Sequence, residues 1–300
     1  MKFQDVYIAQ VSDSEDLKSD VKFLIQDANL RRRMNRLSKV GVSTAMECLQ
    51  QDVERMNQID AIITATGFGF LSDSEKFLMK MTQNQEEFIN PSLFIYSTFN
   101  TVGSQIALLL NNHCYNMTHT HRGHSFESAL LDGILQMKSN GAKGAKNVLV
   151  GAFEETTATE VHILKRLRMN VPEMPSERAT FFVLTNNPGT SKALAKIKSL
   201  EFNTEWKEVK ERLQTYYSNG IDCAIYCNGM PYIYSEEKDF YPNEKDYFCP
   251  IYAAHTLWKV IKTPSVTGSC FIYMQYPRMT GTLLEIEKLN YKKGVRENAF

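Results

Sequence analysis

The sequence predicts an α/β protein whose sheets are covered on their faces by helices. Two observations carry this. Short β-branched runs alternate with helical patterns along the chain, and strands interleaved with helices need helical layers to bury both sheet faces. The cluster Asn186-Asn187-Pro188-Gly189-Thr190 is the strongest turn signal and divides the chain into two halves that share the alternation.

In order, the first half reads as a strand over 6–9 and a helix over 30–50. That helix places Met34, Leu37, Gly41, Ala45, Cys48 and Leu49 on one face. A strand over 59–66 leads into a helical stretch reaching 78. A helix over 102–110, a strand over 117–121, a helix over 125–138 and a buried strand over 147–152 follow. A helix over 157–169 and a strand over 180–185 complete this half. The second half reads as a strand near 193–200, a helix over 206–217, a strand over 222–227, a helix over 253–261 and closing strands over 269–275 and 282–287. No sequence repeat or low-complexity segment is evident.

Composition narrows the function classes. Of the 300 residues, 43% are hydrophobic and 23% charged, as in ordinary globular proteins, and the formal net charge is zero. Bulk electrostatics therefore give no reason to expect nucleic acid or an anionic membrane as partner. Six scattered cysteines, at 48, 114, 223, 227, 249 and 270, suit a reducing cytoplasm better than a disulfide framework. The N-terminus mixes charged and apolar residues, unlike a secretion signal or a membrane span.

The most informative segment is 116–130, which reads as a strand, a tight turn and a helix start. Phe126, Ala129, Leu130, Gly133, Ile134 and Met137 form one buried stripe, and Ser125 is placed to cap the helix. Such a turn suits a nucleophile, because a helix N-terminus lowers a thiol pKa and stabilises an oxyanion. Gly123 stands at its apex, and no cysteine occurs between Cys114 and Cys223.

The ordered set Asn90-Pro91-Ser92-Leu93-Phe94, Ser97-Thr98-Phe99-Asn100, the segment just described and Asn147-Val148-Leu149-Val150-Gly151-Ala152-Phe153-Glu154-Glu155 resembles the N-terminal half of β-ketoacyl-acyl-carrier-protein synthases. The run 30–37 is similar to that family's first long helix, and Glu177-Arg178-Ala179 stands where the family has Glu-Gly-Ala. The resemblance is good over 28–185 and weak afterwards. It implies a thiolase-like αβαβα layered fold of two pseudo-equivalent halves, 1–187 and 188–300, within a single domain over 1–300, with the second half shortened.

The same resemblance implies a cysteine and two histidines for condensation, and all three positions depart here. The first histidine position falls on Cys227 or Asn228, according to a one-residue choice of alignment. The second falls on Cys249, before Ala253-Ala254. Pro277-Arg278-Met279-Thr280-Gly281 replaces the glycine-rich gate loop. The pseudo-active site is therefore expected among Gly123, His121, His124, Cys227, Asn228, Cys249 and His255. His121 and His124 flank the turn and are best placed to line what remains of a cavity.

Other groups carry weaker signals. His119 and His121 lie two apart on a strand, a spacing that allows metal ligation, but no acid or thiol in the segment completes a set. No metal or cofactor is expected. Cys227 and Cys249 read as small core hydrophobes rather than nucleophiles. Gly67-Phe68-Gly69 lacks the rest of a dinucleotide fingerprint. Arg31, Arg32, Arg33 and Arg36 form either a solvated helix face or a docking surface for an acidic carrier protein. Glu154 and Glu155 end a buried strand, where the resemblance implies a structural acid rather than a catalytic base.

The sequence thus points to a non-catalytic synthase-like subunit of the chain-length-factor type, cytoplasmic, in fatty-acid or polyketide biosynthesis. Its expected partners are an active ketosynthase or a second copy, and an acyl carrier protein. In thiolase-like proteins the strand before the nucleophile turn pairs across the dimer. The alternative is an atypical acyltransferase with a rearranged Cys/His site.

Overall fold

The computed structural model describes residues 1–3, 5–87, 91–138, 144–168, 177–187, 193–219, 223–227, 230–232, 251–275 and 280–289. Asn228, Cys249, the turn residues 188–190 and the gate-loop positions 277–279 lie outside them.

Strand β4 (Asn147–Glu155) is buried at all nine positions, as befits a strand sandwiched between helical layers. Val148, Val150 and Ala152 face one way while Leu149 and Phe153 face the other, following the two-residue period of a strand. Around it lie β1 (Tyr7–Asp13), β2 (Ala61–Ala65), β3 (Tyr115–His119) and β5 (Glu177–Thr185), in the order β3-β2-β4-β5-β1. The second half supplies β6 (Ala195–Thr204), β7 (Cys223–Cys227), β8 (Met230–Tyr232), β9 (Gly268–Met274) and β10 (Gly281–Lys288), in the order β6-β10-β9-β7-β8.

The two orders are the same path taken twice. In each, the first strand pairs antiparallel with the last, the last pairs antiparallel with its predecessor, and that predecessor pairs parallel with the second strand. Tyr7 pairs with Lys196 and Ile8 with Ala195 where the sheets join at β1 and β6, and a bridge between Lys2 and Ser199 extends the junction. The duplication invisible as a sequence repeat is explicit in the topology.

The helices are α1 (Val21–Leu24), α2 (Ala28–Arg33), α3 (Arg36–Leu49), α4 (Val53–Met56), α5 (Leu71–Gln83), α6 (Pro91–Tyr96), α7 (Thr101–Leu110), α8 (Ser125–Lys138), α9 (Ala158–Arg166), α10 (Trp206–Ser218) and α11 (Ile251–Lys262). Between the sheets, α8 and α11 contribute Phe126 and Leu257 to a core that also takes Ile63 and Phe182 from the first sheet and Ile272 and Ile286 from the second. Outside the first sheet, α3 and α7 bury Val42 and Val102 against Leu149 and Phe181. Outside the second, α10 lays Val209 and Leu213 on Ile225 and Phe271. The layers are therefore α, β, α, β, α, the thiolase-like arrangement expected.

Several boundaries differ from the sequence reading. The helix expected over 30–50 is two helices, because the Asn35 side chain accepts the amide N–H of Ser38 and starts α3 afresh. Strand β3 ends at His119, two residues earlier than expected, so His121 belongs to the following turn rather than to the strand. In the second half β8 is three residues long and runs antiparallel to β7, whereas β3 runs parallel to β2.

The candidate site at the start of α8

Between β3 and α8 a single 3₁₀ turn spans Arg122–His124. The residue forced into the left-handed region is Arg122, with φ 50°; Gly123 is buried and carries no positive φ. The expectation that Gly123 forms the apex is thus corrected by one residue. Glycine is the usual choice for such backbone, which is why the sequence pointed to Gly123. Ser125 locks the turn instead of capping conventionally: its Oγ accepts the His121 amide N–H at 2.8 Å and donates to the Arg122 carbonyl at 2.7 Å. The Arg122 side chain is exposed beside the N-terminus of α8.

The two flanking histidines do come together. Their rings stand 5.8 Å apart edge to face, and His124 packs edge-on against Phe202 of β6 at 5.9 Å. Burial, reinforced by the neighbouring His121, pulls the His124 pKa below the ordinary imidazole range. His121 is exposed, and its Nδ1 lies 3.2 Å from Ser128 Oγ. One turn into the helix, Glu127 accepts a hydrogen bond from the Thr282 hydroxyl of β10 at 2.9 Å, tying the site to the second half.

His255 and Cys227 do not join this group. On α11, His255 Nδ1 lies 3.0 Å from Asp13 Oδ2 and its ring stacks on Trp258, with centroids 5.0 Å apart. Asp13 is fully buried and also accepts the Thr180 hydroxyl at 2.5 Å and the Glu15 amide at 2.9 Å. Because Asp13 offers only acceptors, Nδ1 is the protonated ring nitrogen. Burial, the dominant influence, draws the His255 pKa down against the pull of Asp13. Cys227 lies in the outer core with Leu213 and Phe271, facing α10 rather than the central helices. Burial pushes its thiol pKa well up, the reverse of what a nucleophile needs.

The paired-histidine metal idea fails on geometry. His119 Nε2 contacts Asp132 Oδ2 at 2.9 Å, where Tyr115 also donates, while His121 turns to Ser128. Among the described residues, one His/Cys/Asp/Glu group has donor atoms close enough for a cation: Asp13, Glu15 and His255, all within 4.8 Å. Asp13 already accepts the N–H of His255 Nδ1, and the Arg178 guanidinium sits on Glu15, so the cluster satisfies itself. Sequence reasoning missed Asp13, Glu127 and Phe202, each of which reaches its site from another element and leaves no local signal.

Glu154 has the structural role expected. It takes amide N–H bonds from Gly67 at 2.6 Å and Phe68 at 3.1 Å, and the Thr66 hydroxyl at 3.2 Å, so it clamps the turn after β2. Burial outweighs those donors and raises its pKa to about 8. Glu155 likewise accepts the Ser72 amide at 2.7 Å, at the start of α5.

The family model described as the β-ketoacyl synthase N-terminal domain matches residues 9–217. A search of curated proteins returns no match. Among solved structures, one titled as a type II PKS acyl-carrier protein in complex with its ketosynthase bound to the hexaketide (AntDE:AntF) aligns with TM-score 0.71 and 14% identity, covering 95% of this chain and 99% of that one. The ishigamide ketosynthase/chain length factor gives 0.68 at 11%, with the same coverage. A β-ketoacyl synthase from Burkholderia phymatum STM815 gives 0.67 at 11%, covering 97% of this chain and 100% of that one. At such identities these structures speak to the fold alone. The family model spans well over half of the chain, and on that ground the chain belongs to the β-ketoacyl synthase N-terminal domain family.

Proposed function

We propose that this chain is a non-catalytic ketosynthase-like subunit of the chain-length-factor type, folded as one domain over 1–300, which pairs with an active condensing enzyme in fatty-acid or polyketide biosynthesis. The observation that carries this reading is the turn before α8. It keeps the shape suited to a nucleophile but presents Arg122 and Gly123, and a guanidinium stays protonated and cannot hold an acyl group. Cys227 offers no substitute, since its thiol is buried in the outer layer.

Two further features support the partners. Strand β3 is the edge of the first sheet, and its outward backbone groups call for a strand from another subunit. The arginines of α2 suit an acidic carrier protein: Arg32 and Arg33 are exposed, and Asp27 is consumed as the helix cap. Arg32→Glu with Arg33→Glu should weaken carrier-protein binding about tenfold or more at low salt, with the difference shrinking as ionic strength rises. Unchanged affinity in titration calorimetry would remove α2 from the docking surface.

Chemistry is tested on the isolated chain supplied with malonyl and acyl carrier proteins, where no condensation product is expected. A second reading, acyl transfer through a rearranged site, draws on the contact between His121 Nδ1 and Ser128 Oγ. Covalent labelling by an acyl-thioester analogue, abolished by Ser128→Ala or His121→Ala, would favour it.

A further inference from the structure

Glu155 and Glu177 stand directly opposite each other in the register of β4 with β5. Like charges so placed are destabilising unless something answers them. Asp73, in the first turn of α5, joins them, and the three acids line a cavity of about 180 Å³. The cavity lies on the outer face of the first sheet, between the starts of α3 and α5. Glu155 points the same way as Phe153, which packs in the α3 layer. Helix α8 covers the opposite face, so this cavity is separate from the histidine turn.

The charges around the cavity do not balance. Arg36 Nε lies 3.1 Å from Glu177 Oε1, and Lys76 Nζ lies 3.6 Å from Asp73 Oδ1. Both cations stand at the mouth, with side chains 80% and 56% exposed. The Asn35 side-chain amide also donates to Asp73. Glu155 is the acid left over. It is 8% exposed, and one of its oxygens accepts the Ser72 amide at 2.7 Å. Among the described residues it has no ion pair and no second hydrogen bond. Burial, the largest influence, raises its pKa, and Asp73 and Glu177 push the same way. An acid buried without a counter-charge is costly, and a cationic donor would relieve it.

The spacing of the acids selects that donor. Their oxygens do not gather within 4.8 Å of one another, as those of the Asp13 cluster do, so they would not enclose a bare metal ion. An ammonium carries three N–H donors and reaches carboxylates at about 2.7–2.9 Å, which suits a wider ring of acceptors. The volume is below the roughly 300–1,000 Å³ of a drug-sized site, so the rest of the ligand is short. Leu37, itself buried, supplies an apolar wall for it. We propose that this cavity binds the primary ammonium group of a small amine, with Glu155 as its principal acceptor and Asp73 and Glu177 completing the ring. The site does not depend on the partnered-subunit reading above.

The test titrates the full chain, in phosphate buffer at neutral pH, with n-propylamine and with n-propanol, its uncharged counterpart of equal size. Calorimetry and saturation-transfer NMR read the binding. The amine should bind saturably at one site, about tenfold or more tighter than the alcohol. Glu155→Gln keeps an acceptor for the Ser72 amide but removes the charge, and should weaken amine binding about tenfold or more with circular dichroism unchanged. Should that variant fail to fold, Asp73→Asn is read in the same way. Putrescine and β-alanine carry the same ammonium, and tighter binding of either supports the site and assigns the chain that bears it. Equal affinity for propylamine and propanol, or a charge-removing variant within about twofold of wild type, overturns the site.

Discussion

The two halves share one topology and differ in what their central helices do. Helix α8 reaches across with Glu127 to Thr282 of β10, and α11 reaches back with His255 to Asp13 of β1 and, through it, to Thr180 of β5. One crossing runs through a neutral hydroxyl that donates to a carboxyl group. The other is a buried acid that collects three donors. The halves share one frame but are joined by different polar groups, so they should respond differently to equivalent damage.

The largest effect should come from Asp13→Ala, which leaves His255, Thr180 and the Glu15 amide without their shared acceptor. Each buried donor left without an acceptor costs about 1–3 kcal/mol. Thr282→Val should cost only about 1 kcal/mol, the net worth of one hydrogen bond. Chemical denaturation reads both, and equal costs would erase the asymmetry.

A second contrast concerns glycines beneath aromatic rings on antiparallel pairs. A Cβ at Gly151 of β4 would lie 2.2 Å from the near edge of the Phe181 ring, and one at Gly281 of β10 would lie 2.4 Å from the far end of Tyr273. The base of a ring held between layers cannot move aside, whereas the tip of a tyrosine can. Gly151→Val should therefore cost about 3 kcal/mol through overpacking, roughly 6 °C in melting temperature. Gly281→Ala should be the milder change, and a larger loss there than at Gly151 would reverse the assignment of the rigid half.

The next effect is one of pH. Glu154 and Glu160 are raised by burial to about 8 and about 7, from ordinary values near 4.5. The folded chain thus holds more protons than the unfolded chain across that interval, and stability falls as pH rises toward 8. His124 and His255 are lowered, so their contribution is present above the ordinary imidazole value and is lost as pH falls below it. Melting temperature against pH should show a maximum near or below neutrality. Glu154→Gln should flatten the alkaline limb, while His255→Gln should act only on the acid limb. A limb that ignores its own substitution would exclude that group as its cause.

Much of this architecture was legible in the sequence because the periodicities are strong. The stripe of α8 and the run over β4 allow no other faces. What was not legible follows from physics that acts at a distance or at a single residue. The cap at Asn35 split a helix whose apolar stripe continues through the break. A non-glycine residue, Arg122, took the left-handed position because Ser125 bonds to both sides of the turn. The direction of Cys227 was hidden because β7 buries both faces: Ile225 and Cys227 face α10, while Tyr226 faces the central layer. A strand of that kind gives no alternation to read.

In the proposed role this chain shapes a condensing enzyme without performing the condensation itself. The most direct measurement is native mass spectrometry of the tagged chain recovered from its source, followed by a condensation assay on the separated subunits. A one-to-one complex with a synthase that keeps its cysteine and two histidines, and activity confined to that partner, is the predicted result. Recovery of this chain alone as a homodimer that condenses malonyl and acyl carrier proteins would contradict it.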